Sequence, residues 1–160
     1  MLSLMAENGK VGVRYAHTNL VADDWRAMVV FYHEVFDCQP VGAERDHHGP
    51  HVDALTGLTG ATICGIHLRL PGFGPDGPTL EIFQYNQNAD RPKHAANLPG
   101  FSHIAFQVDD VERKREEVLA RGGADLGRLQ TIDIPGAGRL TLTYLTDPEG
   151  NIIELQHWHS

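Results

Sequence analysis

The stretch FSHIAFQVDDV, residues 101–111, repeats the pattern of YAHTNLVADDW, residues 15–25. Each stretch has an aromatic residue, a small residue and a histidine, then five residues and two aspartates. Strand alternation puts Ile104, Phe106 and Val108 on one face and His103 on the other. We therefore predict two strands in equivalent positions, with His17 and His103 in register.

A second pair of stretches also matches, in the same order along the chain. PDGPTLE, residues 75–81, and PEGNIIE, residues 148–154, both have Pro, an acid and Gly, then two residues, an apolar residue and Glu. Glu81 and Glu154 are therefore equivalent positions near the end of each half. Two matches in one order indicate a duplicated module.

Each half has the same order of predicted elements. Each aspartate pair suits a helix N-cap, which predicts helices over about 24–37 and 110–121. Turn signals divide the rest into strands at about 41–45, 62–70, 79–85, 127–134, 139–145 and 151–158. The order is β-α-β-β-β twice, an α+β fold class. We predict a single domain over 1–160, with module one at about 13–85, a linker at 86–100 and module two at about 101–158.

Composition excludes some classes of partner. Thirteen basic and 21 acidic residues give a net charge of −8, which argues against nucleic acid and anionic membranes as partners. No apolar run approaches the roughly 20 residues of a membrane span. We expect a cytoplasmic protein, with Cys38 and Cys64 reduced because they form no framework pattern.

The matched positions His17, Glu81, His103 and Glu154 supply two imidazoles and two carboxylates. A surface-facing Glu explains either carboxylate alone. An ionised Glu in an apolar strand is costly to bury unless it is paired or bound to a cation. Two nitrogens and two oxygens suit Zn²⁺, Ni²⁺, Co²⁺, Mn²⁺ or Fe²⁺. We therefore predict that these four residues bind one divalent metal ion, with positions left open for substrate.

Four stretches carry a resemblance to a known family: YAHTNL, GPTLEIFQY, FSHIAFQVDD and DPEGNIIELQHW. The chain resembles the vicinal oxygen chelate superfamily over about residues 13–158. That group includes glyoxalase I, methylmalonyl-CoA epimerase, extradiol dioxygenases and antibiotic-binding proteins. The resemblance implies two tandem modules that form a curved mixed sheet around a metal-binding cup. It also implies that His17, Glu81, His103 and Glu154 match the ligand positions, and that Glu154 or Glu81 acts as the catalytic base.

The ligand set resembles that of glyoxalase I, which implies a metal-dependent lyase, isomerase or epimerase. Such an enzyme stabilises an enolate of a small-molecule substrate that is chelated through adjacent oxygens. Val21 and Tyr85 stand where glyoxalase I commonly has Arg and Asn, so the substrate stays unassigned. By analogy with relatives that pair, we expect a homodimer.

Two alternatives stay open. An Fe²⁺ extradiol dioxygenase would use His17, His103 and Glu154 as a facial triad, with Tyr144 ten residues before Glu154. A metal-free small-molecule binding protein is the third class. His67, in the strand CGIHLRL, is interpreted as a packed histidine or a pocket-wall residue, with the first favoured, and the HHGPH stretch (47–51) as a polar loop.

Overall fold

The computed structural model describes residues 12–90, 92–93 and 95–159. The first half contains four strands and two helices: β1 (His17–Val21), α1 (Trp25–Phe36), β2 (Gln39–His48), α2 (Pro50–Thr56), β3 (Thr62–Arg69) and β4 (Thr79–Tyr85). The second half contains five strands and one helix: β5 (His103–Gln107), α3 (Val111–Ala120), β6 (Ala124–Asp125), β7 (Gln130–Ile134), β8 (Gly138–Thr146) and β9 (Ile152–His159). The predicted α+β class with repeated β-α-β-β-β modules is confirmed. The single domain over residues 1–160 stays a prediction.

The strands lie in two mixed sheets, one in each half of the chain. The first sheet has the order β1-β4-β3-β2, and the second has β5-β9-β8-β6 with β7 paired to β8. In each sheet the histidine-bearing strand is parallel to the glutamate-bearing strand, β1 to β4 and β5 to β9. Within the described residues, β1 and β5 each lie at the end of a sheet, and no strand pairs with their outer edges.

The two long helices begin at the predicted caps. The side chain of Asp24 accepts the backbone N–H of Ala27 at 3.0 Å, and Asp110 accepts that of Arg113 at 3.0 Å. These bonds satisfy amide groups that have no partner within the helix. The apolar stripe of α1 is buried, including Met28, and Val111 and Val118 are buried on α3.

The stretch HHGPH differs from its prediction as a polar loop. His47 and His48 end β2, which is longer than the predicted strand, and Pro50 begins α2. Proline suits this place because it has no N–H to leave unpaired in the first turn of a helix. Val52 of α2 is buried beside Ile63, so the short helix covers one end of the first sheet.

The two halves share one core formed between their helices and sheets. The rings of Phe36 and Phe106 stack across the halves, with centroids 4.0 Å apart and an interplanar angle of 12°. The Tyr32 hydroxyl donates to Asp147 Oδ2 at 3.0 Å, which joins α1 to the turn before β9. The apolar face of each sheet packs on this core, so the opposite face carries His17 or His103.

Candidate functional site

His17 and Glu81 lie together on the face of the first sheet that points away from α1. His17 Nε2 is 3.5 Å from Glu81 Oε2. The parallel register of β1 and β4 pairs His17 with Thr79 and Asn19 with Glu81, so these side chains share one face. We call this group, with His67, half-site one: His17, Asn19, His67, Thr79 and Glu81.

Glu81 is held on both of its oxygens. Asn19 Nδ2 donates to Oε2 at 2.9 Å, and His67 Nε2 donates to Oε1 at 2.8 Å. The carboxylate side chain is only 12% exposed. A carboxylate in such surroundings needs hydrogen-bond donors to offset its lost hydration. Half-site one supplies them from two neighbouring strands.

His67 lies between Glu81 and Thr79. Its Nδ1 is 2.8 Å from Thr79 Oγ1. Because the Glu81 carboxylate accepts from Nε2–H, a neutral imidazole accepts the Thr79 hydroxyl proton at Nδ1. Burial lowers the pKa of His67 and outweighs the opposing charge of Glu81, which favours this neutral form.

The second sheet has an equivalent half-site two: His103, Tyr144 and Glu154. His103 Nε2 is 3.2 Å from Glu154 Oε2, and the Glu154 side chain is 12% exposed. The ring of Tyr144 lies 5.1 Å from that of His103, between centroids. Burial, followed by the hydrogen bond to Glu154 and the charge of Glu154, raises the pKa of the Tyr144 hydroxyl. The hydroxyl therefore stays protonated beside the Glu154 carboxylate.

The strand registers show that the repeat extends beyond the four predicted residues. His67 pairs with Glu81 in β3–β4, and Tyr144 pairs with Glu154 in β8–β9, so His67 and Tyr144 are equivalent. In the same way Ala105 pairs with Glu154 where Asn19 pairs with Glu81. Half-site one is thus the more polar of the two.

The four predicted ligands are brought together as two pairs. Among the residues that the structure describes, no group of three or more His, Cys, Asp or Glu side chains is arranged to hold a metal ion. His67 Nε2 and Glu81 Oε1 are 2.8 Å apart, which is the distance of a direct hydrogen bond. The prediction that all four ligands bind one ion therefore stays a prediction, and the geometry supplies one His–Glu pair from each half.

The spacing within each pair suits a shared ion. Two donors that each lie about 2.1 Å from one ion are roughly 3.0–3.4 Å apart at octahedral or tetrahedral angles. The His17–Glu81 and His103–Glu154 distances are 3.5 and 3.2 Å. Each pair thus resembles half of a four-ligand site, so the donor set fits a divalent ion chemically.

A cavity of about 1380 Å³ separates the outer edges of β1 and β5, and both His17 and His103 line it. Tyr15, Tyr85 and Phe101 contribute aromatic surface to its walls. Phe101 and Tyr15 are largely exposed to solvent. The space is large enough for a small molecule or for part of a second protein chain.

Three residues of half-site one were not predicted as site residues: Asn19, His67 and Thr79. His67 was favoured as a packed histidine, yet both of its ring nitrogens have polar partners. A signal was present: if the turn after β3 closes a hairpin that pairs Arg69 with Thr79, then His67 falls opposite Glu81. That register was not part of the prediction.

Comparisons with known proteins agree with this architecture. A family model described as the glyoxalase/bleomycin resistance protein/dioxygenase superfamily matches residues 14–155. No curated protein sequence matches the chain significantly. Within the described residues, no helix has the length and apolar character needed to cross a membrane.

Solved structures share the fold at low sequence identity. A glyoxalase family protein from Bacillus cereus is 18% identical, with a TM-score of 0.80, over 97% of this chain and 100% of that one. A glyoxylase/bleomycin resistance protein/dioxygenase domain from Frankia sp. is 17% identical, with a TM-score of 0.59, over 94% of this chain and 100% of that one. A glyoxalase I mutant from Zea mays is 19% identical, with a TM-score of 0.58, over 89% of this chain and 45% of that one.

Proposed function

The chain belongs to the glyoxalase/bleomycin resistance protein/dioxygenase superfamily, and from this premise we propose that it is a metal-dependent lyase, isomerase or epimerase. Its substrate is a small molecule with two adjacent oxygens, and the reaction moves a proton next to a carbonyl. The observation that carries the proposal is the pair of repeat-related His–Glu contacts at 3.5 and 3.2 Å.

His17, Glu81, His103 and Glu154 would hold one divalent ion: Zn²⁺, Ni²⁺, Co²⁺, Mn²⁺ or Fe²⁺. When bound, the ion supplies a Lewis acid that polarises the substrate oxygens and stabilises enolate charge. The protein supplies the base. Glu154 and Glu81 are the carboxylates available to take the proton, and the low exposure of both side chains keeps bulk water away from them.

Half-site two adds a hydrogen-bond donor beside one of these bases. Tyr144 lies opposite Glu154 on the neighbouring strand, and the raised pKa of its hydroxyl keeps the proton on the phenol at neutral pH. A hydrogen bond from this hydroxyl would direct one oxygen of Glu154 while leaving the carboxylate fewer restraints than Glu81 has. A positioned carboxylate of this kind can accept a proton and return it to a neighbouring atom of a bound substrate.

We also propose that two copies of the chain complete the site as a homodimer. Each half-site contributes one of the predicted His ligands and one of the predicted Glu ligands. The outer edges of β1 and β5 carry backbone groups that no described strand pairs. Exposed Phe101 and Tyr15 border the same cavity, which suits a contact with a second copy.

One observation favours a second candidate, an Fe²⁺ extradiol dioxygenase. Tyr144 lies beside both His103 and Glu154. Glu81 is engaged by Asn19 and His67, which is compatible with a triad of His17, His103 and Glu154. Uptake of oxygen by the Fe²⁺-loaded protein with catechol would favour this reaction over proton transfer.

Elemental analysis and proton exchange test the first candidate. The purified protein is stripped, reloaded with each of the five ions, and incubated in D₂O with small α-hydroxy carbonyl compounds. We expect bound metal and metal-dependent exchange of the α-proton, both greatly reduced in His103→Gln and retained in His48→Gln, which alters an exposed histidine. A protein that binds no divalent ion would instead be a metal-free binding protein.

A further inference from the structure

His67 has both ring nitrogens engaged beside Glu81 although the predicted ligand set does not include it. We propose that His67 is a positioning residue that, with Asn19, fixes the Glu81 carboxylate so that only Oε2 faces His17. This inference rests on the proposed function because it concerns how Glu81 is presented to the metal ion. Its physical basis is the arrangement of hydrogen bonds in half-site one.

The imidazole of His67 is itself held in place. Thr79 Oγ1 and Glu81 Oε1 each lie 2.8 Å from one of its nitrogens. Its ring also meets those of His17 and Phe83 edge-on, with centroids 5.4 and 6.4 Å apart. The side chain is 19% exposed. A ring with these contacts has little rotational freedom, so it can fix the group that it donates to.

The consequence for Glu81 follows from its lone pairs. His67 occupies Oε1, and Asn19 donates to Oε2 at 2.9 Å. A carboxylate oxygen can accept two hydrogen bonds or ligands, so Oε2 keeps one position open toward His17. Glu81 is thereby prepared to bind an ion through one oxygen. Binding through both oxygens would place the ion on the same oxygen that accepts the 2.8 Å hydrogen bond from His67, so the ion and the imidazole would have to share Oε1.

Half-site two lacks this double restraint. Ala105 stands where half-site one has Asn19, and Ile152 stands where it has Thr79. Neither side chain has a hydrogen-bond donor, which leaves Tyr144 in the place of His67. Glu81 is therefore a fixed carboxylate, whereas Glu154 has fewer restraints and is better suited to move during proton transfer.

The test compares His67→Gln with His67→Leu. Glutamine places an amide N–H near the position of Nε2, whereas leucine removes the donor. His48→Leu is the matched control, because it removes an exposed histidine from the same sheet. Co²⁺ binding is measured by calorimetry, its coordination by visible absorption, and folding by thermal unfolding.

We expect His67→Leu to weaken Co²⁺ binding by about 10–100-fold, the range typical of residues that orient a metal ligand. At saturating Co²⁺ the absorption intensity should match the wild type, because the number of ligands is unchanged. His67→Gln should recover most of the affinity, and His48→Leu should bind as the wild type does. Where a variant is also unstable, its affinity is compared at a temperature at which all variants are folded.

Two outcomes of the Co²⁺ measurements, and one of the ¹⁵N spectra, would overturn the role of His67. Equal affinity in His67→Leu and wild type would show that the restraint has no effect on Glu81. Loss of a ligand from the Co²⁺ spectrum in both variants would make His67 a ligand itself. ¹⁵N spectra of the metal-free protein supply an independent measure: we expect His67 to carry its proton on Nε2 in wild type. The Nδ1–H form would overturn the inference, whereas a wild type that binds no metal would overturn the proposed function alone.

Discussion

Substitution of Tyr32 by Phe tests how the two halves are held together. The hydroxyl of Tyr32 is buried and donates to Asp147 Oδ2 at 3.0 Å. Phenylalanine keeps the ring that packs in the shared core and removes only the donor. Asp147 keeps hydrogen bonds from the Asn151 side chain at 2.7 Å and from backbone N–H groups of Glu149 and Asn151 at 3.0 and 2.8 Å.

The expected loss can be worked out from this geometry. A hydrogen bond to a charged group contributes about 1.5–3 kcal/mol, and no large cavity forms. We therefore expect the free energy of unfolding to fall by about 2 kcal/mol. For a chain of this size, that loss lowers Tm by about 4–8 °C. Urea unfolding followed by circular dichroism at neutral pH measures the loss.

The loss should also depend on pH. Burial raises the pKa of Asp147 above its ordinary value, and the hydrogen bond from Tyr32 opposes that shift. In Tyr32→Phe the folded-state pKa rises further, so keeping Asp147 ionised costs more folding free energy at neutral pH. This cost disappears as pH falls through the folded-state pKa, because the carboxyl is then protonated in the folded state. Equal stability of the two proteins, or a loss that grows at acid pH, would refute the reasoning.

Two further predictions concern the same core, and a third concerns the start of α1. Phe106→Ala removes the ring stacked at 4.0 Å on Phe36 and should lower the free energy of unfolding by about 3–5 kcal/mol, measured by urea denaturation. Burial raises the pKa of the Cys38 thiol to about 12, so little of the reactive thiolate is present at pH 8. We expect iodoacetamide at pH 8 to leave Cys38 unmodified in the native protein and to label it in urea, as measured by mass spectrometry. The Glu149 carboxylate accepts the backbone N–H groups of Asp23 and Asp24, at 2.9 and 2.8 Å, just before α1. Glu149→Gln weakens this acceptor and should lower the free energy of unfolding by about 1 kcal/mol, measured by thermal unfolding. An unchanged Tm would contradict that role.

Local patterns were sufficient to predict much of the fold. The aspartate N-caps of α1 and α3 come directly after alternating strands, so cap and period agree at both places. The repeat places His17 with His103 and Glu81 with Glu154, and the structure brings each His next to the Glu of its own half. These features depend only on neighbouring residues and strand register.

Other features depend on distant contacts and were not predictable in this way. The α2 helix is short and is stabilised by burial of Val52 against the first sheet, a contact that polar neighbours in the sequence conceal. His67 required the register of β3 against β4 to be known. The position of one His–Glu pair relative to the other depends on how the halves pack through Phe36 and Phe106, and strand alternation carries no information about that packing.

In the proposed homodimer, the His17–Glu81 pair of one chain and the His103–Glu154 pair of another hold one metal ion. The most direct measurement is the metal content of a mixed dimer, purified through two different tags, that contains one His17→Gln chain and one His103→Gln chain. One of its two sites then keeps both histidines. We predict about one ion per mixed dimer, against about two for the wild-type dimer and almost none for either variant alone. A mixed dimer without metal, or a wild-type protein that binds metal as a monomer, would contradict the claim.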